Sequence, residues 1–280
     1  MQCVRPILVK GNFVPCGKCP NCLANIRQEW IFRLRAEYMQ CKFGLFVTMT
    51  YDDEHYPATG TSKRDVQLFL KRLRKALGNR SFRYFIVSEY GDHTARGHYH
   101  GLFFFQNSYA GFPGRELYDC FVNSWRNGFM KFGDIEEGSI VYCTKYCLKQ
   151  SPTPHYFLQP FRLMSRNPGI GEWYVDKYAD FHASNLQLAK ATLNGISARM
   201  PRFYRQQIYQ HCEAYDVVKL VQDTQNHSFH DYMRQFAAFC RLKKLDISQE
   251  ASREAFLAHL QARRERQADL VIKHTKKQKF

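Results

Sequence analysis

Between Leu45 and Gln150 the sequence reads as β-α-β-β-α-β-α, which predicts an α+β fold with flanking helices on an antiparallel sheet. Three observations carry this. The runs "LFVTMTY", "FRYFIVSEY" and "HYHGLFFF" are β-branched and aromatic, as strands are. The last two are separated only by the turn-forming "GDHTARG", so they form a hairpin. Between and after the strands, apolar residues recur at helical spacing.

Taken in order, the first stretch, "MQCVRPILVKGNFVPCGKCPNCL", lacks periodicity and is dense in Cys, Pro and Gly. From Ala24 to Cys41, Ile26, Trp30, Leu34 and Tyr38 recur every four residues, an amphipathic helix. After the strand Leu45–Tyr51, "TSKRDVQLFLKRLRKAL" opens with a Thr/Ser cap and buries Val66, Leu70 or Phe69, Leu73 and Leu77. A helix is expected around Glu116–Trp125, then a strand "GFMKFGDI", then a helix from about Ser139 to Gln150. Pro and Gly crowd Ser151 to Gly171, and from about Met200 the chain reads as helical, ending in the basic "KHTKKQKF". The expected division is 1–44, a Cys-rich segment and first helix; 45–150, the core; and 151–280, a mixed and then mainly helical C-terminal region with a basic tail.

Apolar residues make up 45% of the 280, enough for a packed core rather than a disordered chain. The net charge of +16 and a pI near 9.4 predict a polyanionic partner, nucleic acid or an anionic membrane surface. No apolar run approaches a membrane span and the N-terminus lacks a signal-peptide core, so the protein is expected to be soluble and intracellular. In a reducing compartment its ten cysteines point to metal or thiols rather than disulfides.

Three constellations carry chemistry. In "RGHYHGLFFF", His98 and His100 share one face of an otherwise apolar strand, so both can reach one divalent ion. Glu89, across the hairpin, is the expected third ligand, with His93 and His55 as rivals; the bland alternative makes the histidines ordinary polar residues near a strand end. In "IVYCTKYCLKQ", Tyr142, Lys145, Tyr146 and Lys149 fall on one helical stripe, with Ile140, Cys143 and Cys147 on the neighbouring, core-facing one. Tyrosine, with a pKa near 10, needs adjacent cations to act as a nucleophile; tandem YxxK behind a metal-type hairpin points to phosphoryl transfer, against the alternative of boundary tyrosines on an amphipathic helix. In "CGKCPNC", Cys16, Cys19 and Cys22, with Cys3 upstream and Cys41 as its rival, match a tetrahedral structural zinc site; an iron–sulfur cluster and unligated thiols are the alternatives. Thr48 and Thr50 share a face of the first strand and are expected near DNA or beneath the metal, or are ordinary strand threonines. Arg64, Lys71, Arg72, Arg74 and Lys75 line the outer side of the second helix.

In order, "FVTMTY", "GHYHGLFFF" and "YCTKYCLK" resemble the three motifs of HUH endonucleases that start rolling-circle replication. The paired tyrosines, the "VPCGKC" segment and "MSRNPGIG" at Met164–Gly171 resemble the replication initiation proteins of gokushovirus-type microviruses, over roughly Cys3–Gly171, with a further "MPRFY" at Met200–Tyr204. The resemblance implies an HUH endonuclease-like fold, a phage-encoded protein acting in the host bacterial cytoplasm, and metal-dependent nicking and rejoining of single-stranded DNA at the phage origin. It implies a covalent 5′-phosphotyrosine on Tyr142 or Tyr146, Mg²⁺ or Mn²⁺ on His98, His100 and Glu89, and Lys145 and Lys149 stabilising charge. Single-stranded and origin DNA would be the partners, with host helicase and polymerase, and no membrane. Tyr99 stands where such proteins usually have an aliphatic residue, and is expected to serve as bulky apolar filling. The alternatives are a relaxase or transposase of the same class, or a non-catalytic zinc-containing nucleic-acid-binding protein.

Overall fold

The computed structural model describes residues 3, 7–9, 12–91, 94–106, 114–146, 156–185, 190–210, 230 and 232–277. Numbered along the chain, β1 (Ile7–Val9) and β2 (Asn12–Val14) form an antiparallel hairpin, followed by α1 (Pro20–Gln40), β3 (Phe43–Tyr51), α2 (Lys63–Leu77), β4 (Phe82–Tyr90), β5 (Gly97–Phe105), α3 (Gly114–Ser124), β6 (Gly128–Asp134) and α4 (Glu137–Tyr146). Then come β7 (Arg162–Met164), α5 (Trp173–Asn185), β8 (Lys190–Leu193), β9 (Ile196–Arg199), α6 (Arg202–Tyr209), α7 over residues 232–243, and α8 (Glu250–Lys277). The expected α+β order from Leu45 onward is the observed one. Element ends differ by a few residues: α4 begins two residues early because the Ser139 hydroxyl accepts the Glu136 N–H (2.9 Å) from inside its first turn.

Strands β3 to β7 make one antiparallel sheet in the order β6-β3-β5-β4-β7. Strand β5 is central and nearly all buried, as its two apolar faces require. One face carries Val47, Met49, Tyr99, Phe103 and Phe105 under Val66, Phe69, Leu70 and Leu73 of α2 and Leu117 and Phe121 of α3. The other carries Phe85, Val87, Leu102 and Phe104 under Ile31 and Leu34 of α1 and Ile140 and Cys143 of α4. Both β3-α2-β4 and β5-α3-β6 are crossovers between parallel strands that skip one neighbour. They move in opposite directions along the sheet from oppositely directed strands, so a common hand puts both helices on the same face.

Two short features escaped the sequence pattern. Strand β7 is three residues long, too short to show a period, and forms the sheet edge against Phe85–Val87. The β8–β9 hairpin turns at Asn194 (φ 48°) and Gly195 (φ 76°), the Asn-Gly pairing that a two-residue hairpin favours. The two sequence signatures beyond the core meet each other: the Tyr204 hydroxyl donates to Gly171 O (2.7 Å), and the Phe203 ring covers Gly169. Gly171, at φ 70°, also lies so close to α1 that a Cβ would sit 2.6 Å from Arg33 O. Buried Glu37 of α1 completes this contact by accepting from the Arg83 guanidinium and from Gly171 N–H (2.6 Å).

By compactness the chain divides into Arg27–Ser184 with Lys190–Ile208, and Met1–Ile26 with Asn185–Ala189 and Tyr209–Phe280. The expected boundaries after residues 44 and 150 are not where these units part. Most of α1 packs on the sheet, and so do β7 and the Gly171–Tyr204 contact that ties α6 to it. In the other unit, Phe236, Phe239 and Cys240 of α7 pack against Phe256 and Leu260 of α8. No described helix is long and apolar enough to cross a membrane.

Tyr99 proves to be more than filling. Its buried hydroxyl accepts the Ser62 N–H (2.6 Å) and bonds the Tyr51 hydroxyl (2.8 Å), which in turn donates to Asp65 (2.8 Å). Ser62 is the N-cap of α2, accepting from Asp65 N–H, so this chain of hydroxyls fixes where α2 starts. Tyr99→Phe keeps the ring but strands the Ser62 N–H in the core. It is expected to destabilise the protein by about 1–3 kcal/mol in chemical denaturation, with the slope unchanged.

Candidate active site

Because successive side chains of β5 alternate, the residues between its core positions face α1 and α4, and His98 and His100 are among them. The hairpin register sets Glu89 directly opposite His98. Glu89 Oε2 lies 3.1 Å from His100 Nε2 and 3.5 Å from His98 Nε2, and the three ligand atoms all fall within 4.8 Å of one another. Glu89 and His100 are buried, and His98 is half-buried. The expected trio is thus brought together. Rival His55 is exposed and pairs with Asp52 (2.7 Å), while His93 lies outside the described residues.

The remaining ring nitrogens say what fits between these three. His98 Nδ1 is 3.1 Å from Arg96 O, a carbonyl that only accepts, so Nδ1 carries the proton and Nε2 a lone pair. That lone pair faces a carboxylate oxygen, and two acceptors approach this closely only with a cation between them. His100 Nδ1 is similarly held by Thr48 Oγ1 at 3.1 Å. Outer partners that aim both Nε2 atoms inward are the arrangement of metal-ligating histidines. Burial lowers the His100 pKa, favouring the neutral ligand form. Burial pushes the Glu89 carboxyl up, but hydrogen bonds and charge from His100 and His98 outweigh it and hold it at about 2. The site is compatible with a divalent ion.

Helix α4 brings Tyr142 over this cluster. Its hydroxyl is 3.4 Å from His100 Nε2, its ring meets the imidazole edge to face at 4.9 Å, and Phe46 stacks beneath His100 at 5.8 Å. Two arginines of α1 hold α4 there: Arg27 donates to Val141 O (3.2 Å), and Arg35 grips Glu137 with both side-chain branches. Ile140 and Cys143 are buried, as their stripe predicts. Lys145 is exposed in the last turn. Tyr146 ends the described part of α4, and Cys147 and Lys149 lie outside it.

The cysteines converge separately. The β1–β2 hairpin returns the chain so that Cys3 lies beside Cys16, while Cys19 precedes α1 and Cys22 sits in its first turn. Sγ–Sγ distances are 3.9 Å for Cys3–Cys19 and 4.0 Å for Cys16–Cys22, and all four sulfurs lie within 4.8 Å of one another. A disulfide needs about 2.05 Å, whereas the edge of a tetrahedron with metal–sulfur bonds near 2.3 Å is about 3.8 Å. Backbone N–H groups of Cys16 and Cys19 point at the sulfurs of Cys3 and Cys16. Burial pushes the Cys22 thiol up to about 12, so its thiolate requires a compensating cation. Cys3, not Cys41, is the fourth member; Cys41 instead donates to Tyr38 O (3.1 Å).

The basic residues of α2 do not join the cluster. That helix packs on the opposite sheet face, so Arg64, Lys71, Arg74 and Lys75 are exposed away from Glu89 and the histidines. Arg72 is half-buried and donates to Ser124 O (2.7 Å). Beside them runs a groove of about 780 Å³, lined by Lys63, Arg74, Tyr84 and Arg166 and by no carboxylate. Thr48 and Thr50 do lie on the cluster's face, opposite His100 and His98. The sequence reading missed Phe46 and the Arg96 carbonyl. Phe46 could have been found two residues before Thr48 on the same strand face, whereas a carbonyl's role leaves no sequence signal.

Residues 44–151 match the family model of the phage replication-associated protein ORF2. The chain is 29% identical over 244 residues to Replication-associated protein VP4 of Bdellovibrio phage phiMH2K, covering 73% of this chain and 76% of that one. It is 27% identical over 222 residues to Replication-associated protein ORF2 of Spiroplasma virus 4, covering 70% and 68%. Replication-associated protein ORF4 of Chlamydia phage 1 is 24% identical over 215 residues, covering 69% and 52%. No solved structure matches significantly. These similarities bear out the likeness to microvirus-type replication proteins that the motifs carry.

Proposed function

From this likeness, we propose that the chain initiates rolling-circle replication of a phage genome by nicking and rejoining single-stranded DNA through a covalent tyrosine. The observation that carries the reading is the Tyr142 hydroxyl, 3.4 Å from His100 Nε2 at the edge of the Glu89–His98–His100 cluster. A general nucleic-acid binder needs no tyrosine aimed at a buried carboxylate–imidazole group.

Glu89, His98 and His100 would hold Mg²⁺ or Mn²⁺, which when bound polarises the scissile phosphate. Thr48 and the Arg96 carbonyl fix both imidazoles. Helix α4, clamped by Arg27 and Arg35, presents Tyr142 to the phosphorus. The hydroxyl loses its proton to water, its oxygen bonds to phosphorus, the P–O3′ bond breaks, and the leaving 3′ oxygen takes up a proton. The enzyme keeps the 5′ phosphate on tyrosine, and the free 3′ hydroxyl can prime a host polymerase. One ester replaces another, so the reverse step rejoins ends without ATP. We assign Tyr146 as the second tyrosine, with Lys145 and Lys149 stabilising phenolate and phosphate charge. The exposed α2 cations, on the other sheet face, add affinity for the DNA backbone apart from the chemistry. The four cysteines are assigned a structural Zn²⁺.

Incubation with circular single-stranded phage DNA and Mg²⁺ should give SDS-stable protein–DNA adducts. Tyr142→Phe combined with Tyr146→Phe should abolish them while leaving DNA binding within about twofold, because the charged surface supplies most of that affinity. Adducts in the double variant would refute the nucleophile assignment.

His98→Ala, His100→Ala and chelation with EDTA should each remove nicking by at least about 10²-fold. Glu89→Ala should be partly rescued by excess Mn²⁺. Cleavage that persists in EDTA would return the histidines to a structural role.

Purified protein should hold about one zinc per chain, and Co²⁺ in its place should show the thiolate charge-transfer bands of a tetrahedral site. Cys16→Ser should lower the melting temperature. Unchanged melting in metal-free protein would rule out a structural ion.

A further inference from the structure

Strand β6 borders the sheet, and its pairing with β3 extends the active-site face outward. Two rungs cross the strands there. One runs Phe129–Thr50–His98–Glu89, and the next runs Lys131–Thr48–His100–Val87. On this face β3 and β6 contribute Phe46, Thr48, Thr50, Phe129, Lys131 and Gly133, none of them acidic. Phe129 is 67% exposed, the most exposed aromatic side chain among the described residues, and Lys131 is exposed beside it. A single exposed apolar residue is ordinary on a protein surface. This one occupies the same rung as a member of the metal cluster, about 10 Å away at two strand spacings. It is fixed in place, since its carbonyl accepts from the Thr50 hydroxyl (3.4 Å). An exposed edge strand usually avoids large apolar side chains, because they invite association.

We infer that Phe129 and Lys131 form the landing surface for the nucleotide next to the scissile phosphate, the ring stacking on its base and the ammonium meeting a backbone phosphate. This rests on the single-strand nicking reading above and extends it to a positioning site outside the metal cluster and the tyrosines. A flat aromatic face with a neighbouring cation and no carboxylate suits a single strand, whose bases are free to stack. A duplex keeps its bases stacked inside and offers the ring no partner. Stacking tolerates any base, so the surface positions the strand without reading its sequence.

The test uses the full chain in EDTA, where no cleavage occurs, and oligo-dT carrying one 2-aminopurine at successive positions. Wild type and Phe129→Trp should quench the probe at a preferred position. Phe129→Ala should abolish that quench and weaken binding about tenfold, and Lys131→Ala should lower the salt slope by about one. Melting temperatures should not change, because neither side chain is buried. In Mg²⁺, Phe129→Ala should raise the KM for phage single strands more than it lowers kcat. Equal affinity and quench in wild type and Phe129→Ala would overturn the inference. So would a Phe129→Ala effect confined to self-association, which would make the patch a contact between copies of the chain. Wild-type quenching at Phe129 without nicking would support this surface while sinking the nicking reading; normal nicking with an indifferent Phe129→Ala would do the reverse.

Discussion

A single carboxylate oxygen, Glu89 Oε2, lies between two imidazole nitrogens inside an otherwise apolar sheet face. Buried polar groups without partners cost several kcal/mol each, so β5 can carry His98 and His100 among Leu102 and Phe104 only if that cost is offset locally. The offset depends on register. Glu89 faces His98 across β4, and Thr48 faces His100 across β3. A slip of one residue in either ladder would turn the carboxylate or the hydroxyl to the far face and put a large apolar side chain in its place. The aromatic residues of β5 that lock into α2 and α3 therefore hold the cluster as well as the core.

Placing the tyrosine is a separate task, carried by polar contacts. Among its described side chains, helix α4 buries only Ile140, Cys143 and Thr144 fully, too little apolar surface to fix its orientation alone. The α1 guanidiniums of Arg27 and Arg35 bind its backbone and its first-turn glutamate. The Arg35–Glu137 pair is partly exposed and contributes little to stability. Its geometry, gripping with both branches, restrains rotation of the helix. Helix α1 is itself held by buried Glu37, which meets both Arg83 of β4 and the Gly171 loop. The nucleophile's position thus traces back through a buried ion pair to the sheet.

The sequence made strands and helices legible wherever a period could build up. Nine-residue strands showed alternation, and the short turn between β4 and β5 made Glu89 the partner of the histidines before any coordinates. The spacing of Cys16, Cys19 and Cys22 marked the thiolate site, but only the β1–β2 hairpin decided between Cys3 and Cys41. Three things were hidden. Tyr99 looked like filling, because a hydroxyl's partners on a distant helix cap leave no local pattern. The basic face of α2 was plain, but not which side of the sheet it would take; that follows from crossover handedness, a property of topology. Strand β7 was too short to register, while β8–β9 went unread although Asn194–Gly195 spelled out its turn.

The double burial of β5 also bears on how this protein can change over generations. Gly101 illustrates it: a Cβ there would sit 2.6 Å from the Phe103 ring and 3.3 Å from Ile86. Every side chain of the strand answers either to a packed core or to the histidine cluster, and neighbouring positions answer to different ones. Selection for folding and selection for chemistry therefore act on alternate letters of the same nine-residue word. Latitude is left to the edges, on β6 and on the outer sides of α2 and α3, where a substitution meets water. New DNA preferences can arise there by drift without endangering the fold, whereas the central strand has almost no neutral neighbours in sequence space.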